Sequence, residues 1–171
     1  METVILNENN LLDSNVDIFE DKVRALINVD DKILVCDYND VCLLPGGKID
    51  KDEDNITALI RELKEEIGIN YIQDELCPLF ELIYYQFDYS TRDNKIKNRC
   101  IKTTYYIANY KGIDLSNINR TESEIKNHFD LILISIDELY NRLKLKTNNP
   151  RNEFFNKELY TVLKYYQYKR P

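Results

Sequence analysis

The chain has 171 residues, 43% of them hydrophobic and 31% charged, and its formal net charge is −7. This balance predicts one folded domain over residues 1–171 and excludes a disordered chain, and no apolar run approaches the ~20 residues of a membrane-spanning helix. The negative charge argues against duplex nucleic acid as an obligatory partner, because phosphate binding needs a basic surface, but anionic small molecules can bind where a cation intervenes.

Three short apolar runs rich in β-branched residues are predicted strands. They are Val23–Val29, Ile33–Cys36 and Val41–Leu44. Asp30-Asp31-Lys32 separates the first two as in a hairpin, and Pro45-Gly46-Gly47 ends the third in a loop. N-cap chemistry at residues 52–55 and a stop at Gly68 then predict a helix that ends at Ile67.

The second half of the chain contains three more predicted strands and two more helices. The strands are Leu79–Tyr89, Cys100–Tyr110 and Leu131–Ile136, and the helices are Asp137–Leu145 and Asn152–Tyr168. Strands mixed with a central and a terminal helix predict an α/β sandwich. We find no repeat, linker or second domain in this pattern.

The helix before Gly68 has two distinct faces. At about 100° per residue, its aliphatic side chains fall in one sector that packs on the sheet. Glu62, Glu65 and Glu66 fall in a second sector, and Arg61 lies four residues before Glu65. Like charges this close repel unless a hard cation such as Mg²⁺ binds their oxygens. For the helix alone, a solvated face with incidental ion pairs is the simpler interpretation.

The loop in front of this helix changes that interpretation. Together they match the Nudix hydrolase signature, G-x5-E-x7-R-E-U-x-E-E-x-G-U, where U is aliphatic. The residues at the fixed positions are Gly47, Glu53, Arg61, Glu62, Leu63, Glu65, Glu66, Gly68 and Ile69. The segment Leu44–Gly47 is also similar to the usual lead-in. The resemblance implies a Nudix-type α/β/α sandwich with a mixed sheet.

The resemblance also implies the chemistry. Glu62, Glu65 and Glu66 would ligate one or more Mg²⁺ or Mn²⁺ ions, and the carbonyl of Gly46 would join them. Such ions neutralise a diphosphate, position it and lower the pKa of a bound water. Glu65 or Glu62 would take the proton from the attacking water.

The other signature residues have supporting roles in the family. Arg61 would orient the glutamates, and Glu53 would tie the loop to the helix. Gly47 and Gly68 would be turn residues. Some members take the base from a later loop, where Glu122 and Glu124 are the candidates, although we favour a helix start for that segment.

Two groups of side chains are candidates for substrate selection. The basic group lies at the predicted hairpin tip: Arg92, Lys95, Lys97, Arg99 and Lys102. It would meet substrate phosphate, or it keeps the sheet soluble and unpaired. The aromatic group would stack a nucleobase, or it packs across strands: Tyr84, Tyr85, Phe87, Tyr89, Tyr105 and Tyr106. We favour the second interpretation of each group.

The cysteines and the histidine add little chemistry. Four cysteines without a C-x-x-C pair predict free thiols, with Cys36 and Cys42 in the core, rather than zinc ligands or disulfides. A reducing cytoplasm is therefore the expected compartment. The single histidine, His128, is a better core or surface residue than a metal ligand or a member of a Ser-His-Asp triad.

The expected function is divalent-metal-dependent hydrolysis of the diphosphate linkage in a nucleoside diphosphate joined to another moiety. A small nucleotide is the expected partner, and the sequence leaves homodimerisation open. One alternative is a Nudix-like module that senses a nucleotide without turnover. The other is an isoprenoid diphosphate isomerase, whose additional acid and cysteine positions we do not find.

Overall fold

The computed structural model describes residues 1–38, 41–91, 93–119, 129–145 and 149–169. The strands in these residues are β1 (Thr3–Leu6), β2 (Ile18–Val29), β3 (Lys32–Tyr38), β4 (Val41–Leu43), β5 (Cys77–Ser90), β6 (Ile96–Asn109) and β7 (Phe129–Ser135). The α-helices are α1 (Asn55–Ile67), α2 (Ile136–Leu143) and α3 (Pro150–Lys169). Short 3-10 turns lie at Asp13–Asn15 and Gln73–Glu75. None of the helices described is long and apolar enough to cross a membrane.

The strands form one mixed sheet. Its order is β1-β5-β6-β2-β3-β4, and β7 also pairs with β3. β1 runs parallel to β5, and β2 runs parallel to β6, whereas the other pairs are antiparallel. The predicted hairpin between β2 and β3 is confirmed, with Asn28 opposite Ile33.

The sheet is covered by helices on both faces. Alternate residues of a strand point to opposite faces, so Val23, Ala25 and Ile27 of β2 pack against α1, whereas Leu26 belongs to the opposite core with α2 and α3. All four of these side chains are buried. The predicted α/β/α sandwich with a mixed sheet is therefore confirmed.

Several element bounds differ from the sequence prediction. β2 begins at Ile18 rather than Val23, because residues 18–22 pair with β6 over their whole length. β1 was not predicted at all. It is only four residues long and is held by parallel pairing with β5, which is distant in sequence and leaves no local signal.

The interpretation of the basic group was wrong for Arg99. Its side chain is only 8% exposed, and its Nη2 donates to Gln86 Oε1 at 2.7 Å. Its guanidinium also lies 3.4 Å from a Glu20 carboxylate oxygen and 3.7 Å from the Tyr89 ring centroid. Arg99 is part of β6 rather than of an exposed tip, because the strand begins at Ile96. Lys95 is exposed, as a solvated tip requires, and Arg92 lies outside the described residues.

Two rings of the aromatic group, Tyr84 and Tyr105, pack against other aromatic rings. Tyr84 stacks on Phe154 of α3 with ring centroids 4.1 Å apart, and Tyr105 stacks on Phe80 at 5.1 Å. Both tyrosines are buried. These two rings therefore pack the core rather than offer a face to a base.

Candidate catalytic site

Helix α1 has the bounds that its local signals predict. The Asp54 side chain caps its first turn by accepting from the Thr57 amide at 2.8 Å. Gly68 ends it with φ of 75°, and a Cβ there would lie 2.0 Å from the Asp114 carbonyl oxygen, so only glycine fits. Leu59 and Leu63 are fully buried against the sheet, which fixes the orientation of the acidic face.

The loop before α1 lies against β2. The amides of Val23 and Ala25 donate to the carbonyls of Gly47 and Pro45 at 2.9 and 2.8 Å. Gly46 has φ of 130°, and a Cβ on it would lie 2.2 Å from the Val23 carbonyl oxygen. The close approach of the loop to β2 therefore requires glycine at this position.

The loop also contacts the acidic face of α1. A Cβ on Gly47 would lie 2.5 Å from the carboxylate of Glu62. The Gly46 amide donates to Glu66 Oε2 at 2.7 Å, and the Cys36 thiol lies 3.9 Å from the same oxygen. Two of the three glutamates thus touch the loop directly.

Arg61 connects the loop to the helix. Its guanidinium donates to both Glu53 carboxylate oxygens at 3.1 and 2.9 Å, and to the Lys48 carbonyl at 3.1 Å. Its Nη1 donates to Glu62 at 2.8 Å and to Glu65 at 3.4 Å. The hydrogen bonds to Glu53 raise the pKa of Arg61, and they lower the pKa of the Glu53 carboxyl.

The three glutamates differ in environment. The Glu62 side chain is 15% exposed, whereas that of Glu65 is 42% exposed. Burial raises the pKa of the Glu62 carboxyl; Arg61 opposes this shift, and the charge of Glu65 adds to it. A buried carboxylate beside a second one is a costly arrangement, typical of functional sites.

The arrangement in this structure is not a preformed metal cage. Within the part of the chain that the structure describes, no group of three or more His, Cys, Asp or Glu side chains is placed to hold an ion. The reason is visible in the contacts, because Arg61 donates to Glu62 and Glu65 while the Gly46 amide donates to Glu66. The carboxylate oxygens around the Arg61 guanidinium are nevertheless the type of ligand that Mg²⁺ and Mn²⁺ take.

Sequence reasoning missed a buried group behind the loop. Arg24 of β2 donates through Nη1 to the carbonyls of Leu44 and Gly46. Its guanidinium also faces Glu158 of α3. A charge in the apolar run Val23–Val29 was a visible signal for Arg24, but nothing local connects it with Glu158.

The candidate loop acids belong to a segment that the structure does not describe. Glu122 and Glu124, together with His128, lie in the segment 120–128, which is outside the described residues. They therefore remain expectations from the sequence.

Comparison with known proteins identifies the family. The NUDIX domain family model matches residues 20–157. A MutT protein from Methanosarcina mazei Go1 is similar in structure, with TM-score 0.54 and 17% identity over 90% of this chain and 97% of that one. A NUDIX hydrolase from Nitrosomonas europaea has TM-score 0.53 and 19% identity over 84% of this chain and 89% of that one.

A third similar structure belongs to a larger protein. It is a bifunctional NMN adenylyltransferase/ADP ribose pyrophosphatase from Francisella tularensis, complexed with AMP and a Mn ion. The TM-score is 0.53 and the identity 22%, over 85% of this chain and 42% of that one. At such identities these likenesses establish the fold alone, and no curated protein sequence matches the chain. The match of the family model over residues 20–157 shows that the chain belongs to the Nudix family of pyrophosphohydrolases.

Proposed function

We propose that this chain is a divalent-metal-dependent hydrolase of a nucleoside diphosphate linked to another moiety. One observation carries the proposal: Arg61 Nη1 donates to both Glu62 and Glu65, and the amide of Gly46, in the loop Leu44–Gly47 that we call the glycine loop, donates to Glu66. Family membership supplies the reaction class, which is cleavage of a phosphoric anhydride bond. The metal and the substrate class are our inference.

The three glutamates would hold Mg²⁺ or Mn²⁺. The Gly46 carbonyl accepts from Arg24 Nη1 at 3.3 Å in this structure, so it would join the ligands only by giving up that contact. Bound there, the ion would supply positive charge against the diphosphate and lower the pKa of water. Arg61 would keep Glu62 and Glu65 oriented, because it donates to both from one nitrogen. Glu53 fixes Arg61 in turn through two hydrogen bonds.

The chain supplies the base for the reaction. A water oxygen attacks phosphorus, the bridging P–O bond breaks, and the proton of the water passes through a glutamate to the departing phosphate. Glu62 or Glu65 would accept that proton at a carboxylate oxygen. Glu65 is the more accessible of the two to an attacking water, because its side chain is 42% exposed and that of Glu62 is 15% exposed.

The expected substrate is a small nucleotide. The Francisella structure with AMP and Mn makes AMP-containing diphosphates and Mn²⁺ the first pair to test. All four cysteines are free thiols, which supports the cytoplasm as the compartment in which the reaction takes place.

The experiment is a substrate panel with mass-spectrometric identification of products. It includes nucleoside triphosphates, ADP-ribose, dinucleoside polyphosphates, nucleotide sugars and capped RNA, each with Mg²⁺ and with Mn²⁺. We expect hydrolysis of at least one compound, and a loss of at least about 10²-fold in Glu65→Gln. Glu75→Gln is the matched control, because Glu75 pairs with Lys111 outside the site.

Three results would contradict the proposal. Wild-type activity that survives EDTA would remove the metal from the mechanism. Calorimetric binding of a panel nucleotide without any product would indicate a nucleotide-sensing module instead. Conversion of isopentenyl diphosphate to its isomer, with no hydrolysis of the panel, would indicate isomerase chemistry.

A further inference from the structure

A buried charged group lies behind the glycine loop and joins three elements. Arg24 of β2 and Glu158 of α3 are each 7% exposed, and Tyr105 of β6 is 1% exposed. The Tyr105 hydroxyl donates to Glu158 Oε1 at 2.5 Å, and Arg24 Nε lies 4.0 Å from the same oxygen. Because a well-packed apolar group is often as stable as a buried ion pair, stability alone is a weak reason for this arrangement.

The charged group reaches the loop through Arg24. The carbonyls of Pro45 and Gly47 accept hydrogen bonds from β2 amides. The carbonyls of Leu44 and Gly46, which alternate with them along the loop, accept from Arg24 Nη1 at 2.5 and 3.3 Å. Leu44 is only 2% exposed, so water cannot serve its carbonyl well. The loop is therefore held by the β2 backbone on one side and by one side chain on the other.

Gly46 transmits this contact to the acidic face. Its carbonyl accepts from Arg24, while its amide donates to Glu66 Oε2 at 2.7 Å. Arg24 therefore contacts the same residue whose amide donates to Glu66. The terminal helix thus reaches the signature through an ion pair of 4.0 Å between Glu158 and Arg24, followed by hydrogen bonds from Arg24 to Gly46 and from Gly46 to Glu66.

We propose that Glu158 is a positioning residue for the hydrolase site, acting through Arg24 on the Gly46 peptide. Glu158 supplies the negative charge nearest to Arg24 Nε, which has no hydrogen-bond partner among the described residues. Tyr105 orients Glu158 by donating to it. The inference rests on the proposed function, because it assumes that the signature acids do the chemistry.

The competing explanation is that the group only stabilises the core. The two explanations differ in where a change at Glu158 is felt. A core role lowers the free energy of unfolding and leaves the folded loop unchanged. A positioning role changes the loop and the acids in protein that is still folded.

The first test is the glycine amide spectrum of Glu158→Gln. The chain has only four glycines, so ¹⁵N-glycine labelling gives one amide signal each for Gly46, Gly47, Gly68 and Gly112. We expect the Gly46 and Gly47 signals to shift and the other two to stay. Glu138→Gln is the matched control, because it removes a carboxylate that pairs with Arg142 within α2, and we expect it to shift none of the four.

The second test is Mn²⁺ binding by calorimetry, together with steady-state kinetics. Loss of a residue that orients a ligand typically costs about 10- to 100-fold in metal affinity or activity. We therefore expect Glu158→Gln to weaken Mn²⁺ binding by about 10-fold and to lower kcat more than it changes KM. The proposal would be overturned if all four glycine signals of folded Glu158→Gln kept their wild-type positions. It would also be overturned if this variant had both the Mn²⁺ affinity and the kcat of the wild type.

A second variant covers the case in which Glu158→Gln does not fold. Tyr105→Phe removes only the hydroxyl that donates to Glu158, and it should shift the Gly46 and Gly47 signals in the same direction by a smaller amount. Unshifted signals in folded Tyr105→Phe would also overturn the proposal. Failure of the proposed function appears separately, as wild-type protein that turns over no panel compound, and the glycine spectra do not depend on turnover.

Discussion

Glu62 is the residue where function and stability conflict most directly. Its carboxylate is mostly buried, lies beside Glu65, and is only partly compensated by Arg61. Its pKa is raised in the folded chain, so the folded state binds this proton more tightly than the unfolded state. The contribution of Glu62 to the free energy of unfolding therefore falls as the pH rises from the unfolded pKa, about 4.3, to the raised folded pKa. Above the folded pKa, the buried charge of Glu62 destabilises the protein to its full extent.

Glu62→Gln should accordingly raise the free energy of unfolding at pH 7 while it abolishes hydrolysis. The gain arises because the amide keeps the shape and removes the buried charge. Urea unfolding at pH 7 and again below pH about 4 checks this, since the gain should vanish where both proteins are neutral at this position. A variant less stable than wild type at pH 7 would show that Arg61 fully compensates the charge.

A substitution at Gly47 tests whether the site needs the close approach of the loop to Glu62. A methyl group there would lie 2.5 Å from the carboxylate, which is the movable end of a side chain. Gly47→Ala should therefore stay folded, with a free energy of unfolding within about 0.5 kcal/mol of wild type, because Glu62 can rotate away. Its kcat/KM should fall about 10²-fold, since a 1 Å misplacement of a reacting group has effects of that order. Steady-state kinetics and urea unfolding on one preparation separate the two effects.

At the scale of elements, the close contact of the glycine loop with β2, rather than a need for flexibility, requires glycine in the loop. Gly46 and Gly112 both have positive φ, but a Cβ on Gly46 meets the Val23 backbone whereas one on Gly112 meets nothing within 4 Å. Gly112→Ala should cost about 1–3 kcal/mol, which is the backbone strain alone. Gly46→Ala should cost more, because the loop must also leave β2. Equal losses in urea unfolding would mean that the loop is not pressed against the strand.

The elements also show what a sequence can specify. Helix α1 was predicted to its ends because Asp54 and Gly68 act on their immediate neighbours. The acids on its face followed from helical spacing alone. By contrast, β1 and the first half of β2 depend on pairing with β5 and β6, and Glu158 meets Arg24 only after α3 has packed on the sheet. No pattern within a short window carries that information.

At the scale of the whole molecule, two strands of the sheet, β5 and β6, separate β1 from β2 and the loop beside it. The glycine loop lies beside β2, whereas β1 covers β5 at the far edge of the sheet. Glu2, next to β1, also contacts Tyr165 and Lys169 of α3, and these contacts lower the pKa of its carboxyl. The first residues thus close one edge of the sheet and contact the last helix without approaching the acids of the signature.

Removal of residues 1–6 should therefore change assembly and stability but not chemistry. The β5 backbone groups that now pair with β1 would become an open sheet edge, and open edges pair with other chains. We expect sedimentation velocity to show concentration-dependent self-association beyond that of the full chain, and urea unfolding to show lower stability. The kcat of the dilute protein should stay within about twofold of wild type, because β5 and β6 separate β1 from β2. Glu2→Gln retains β1 and should associate no more than the full chain does. Greater association of that variant would mean that the contacts of Glu2 with α3, rather than strand pairing, protect the sheet edge.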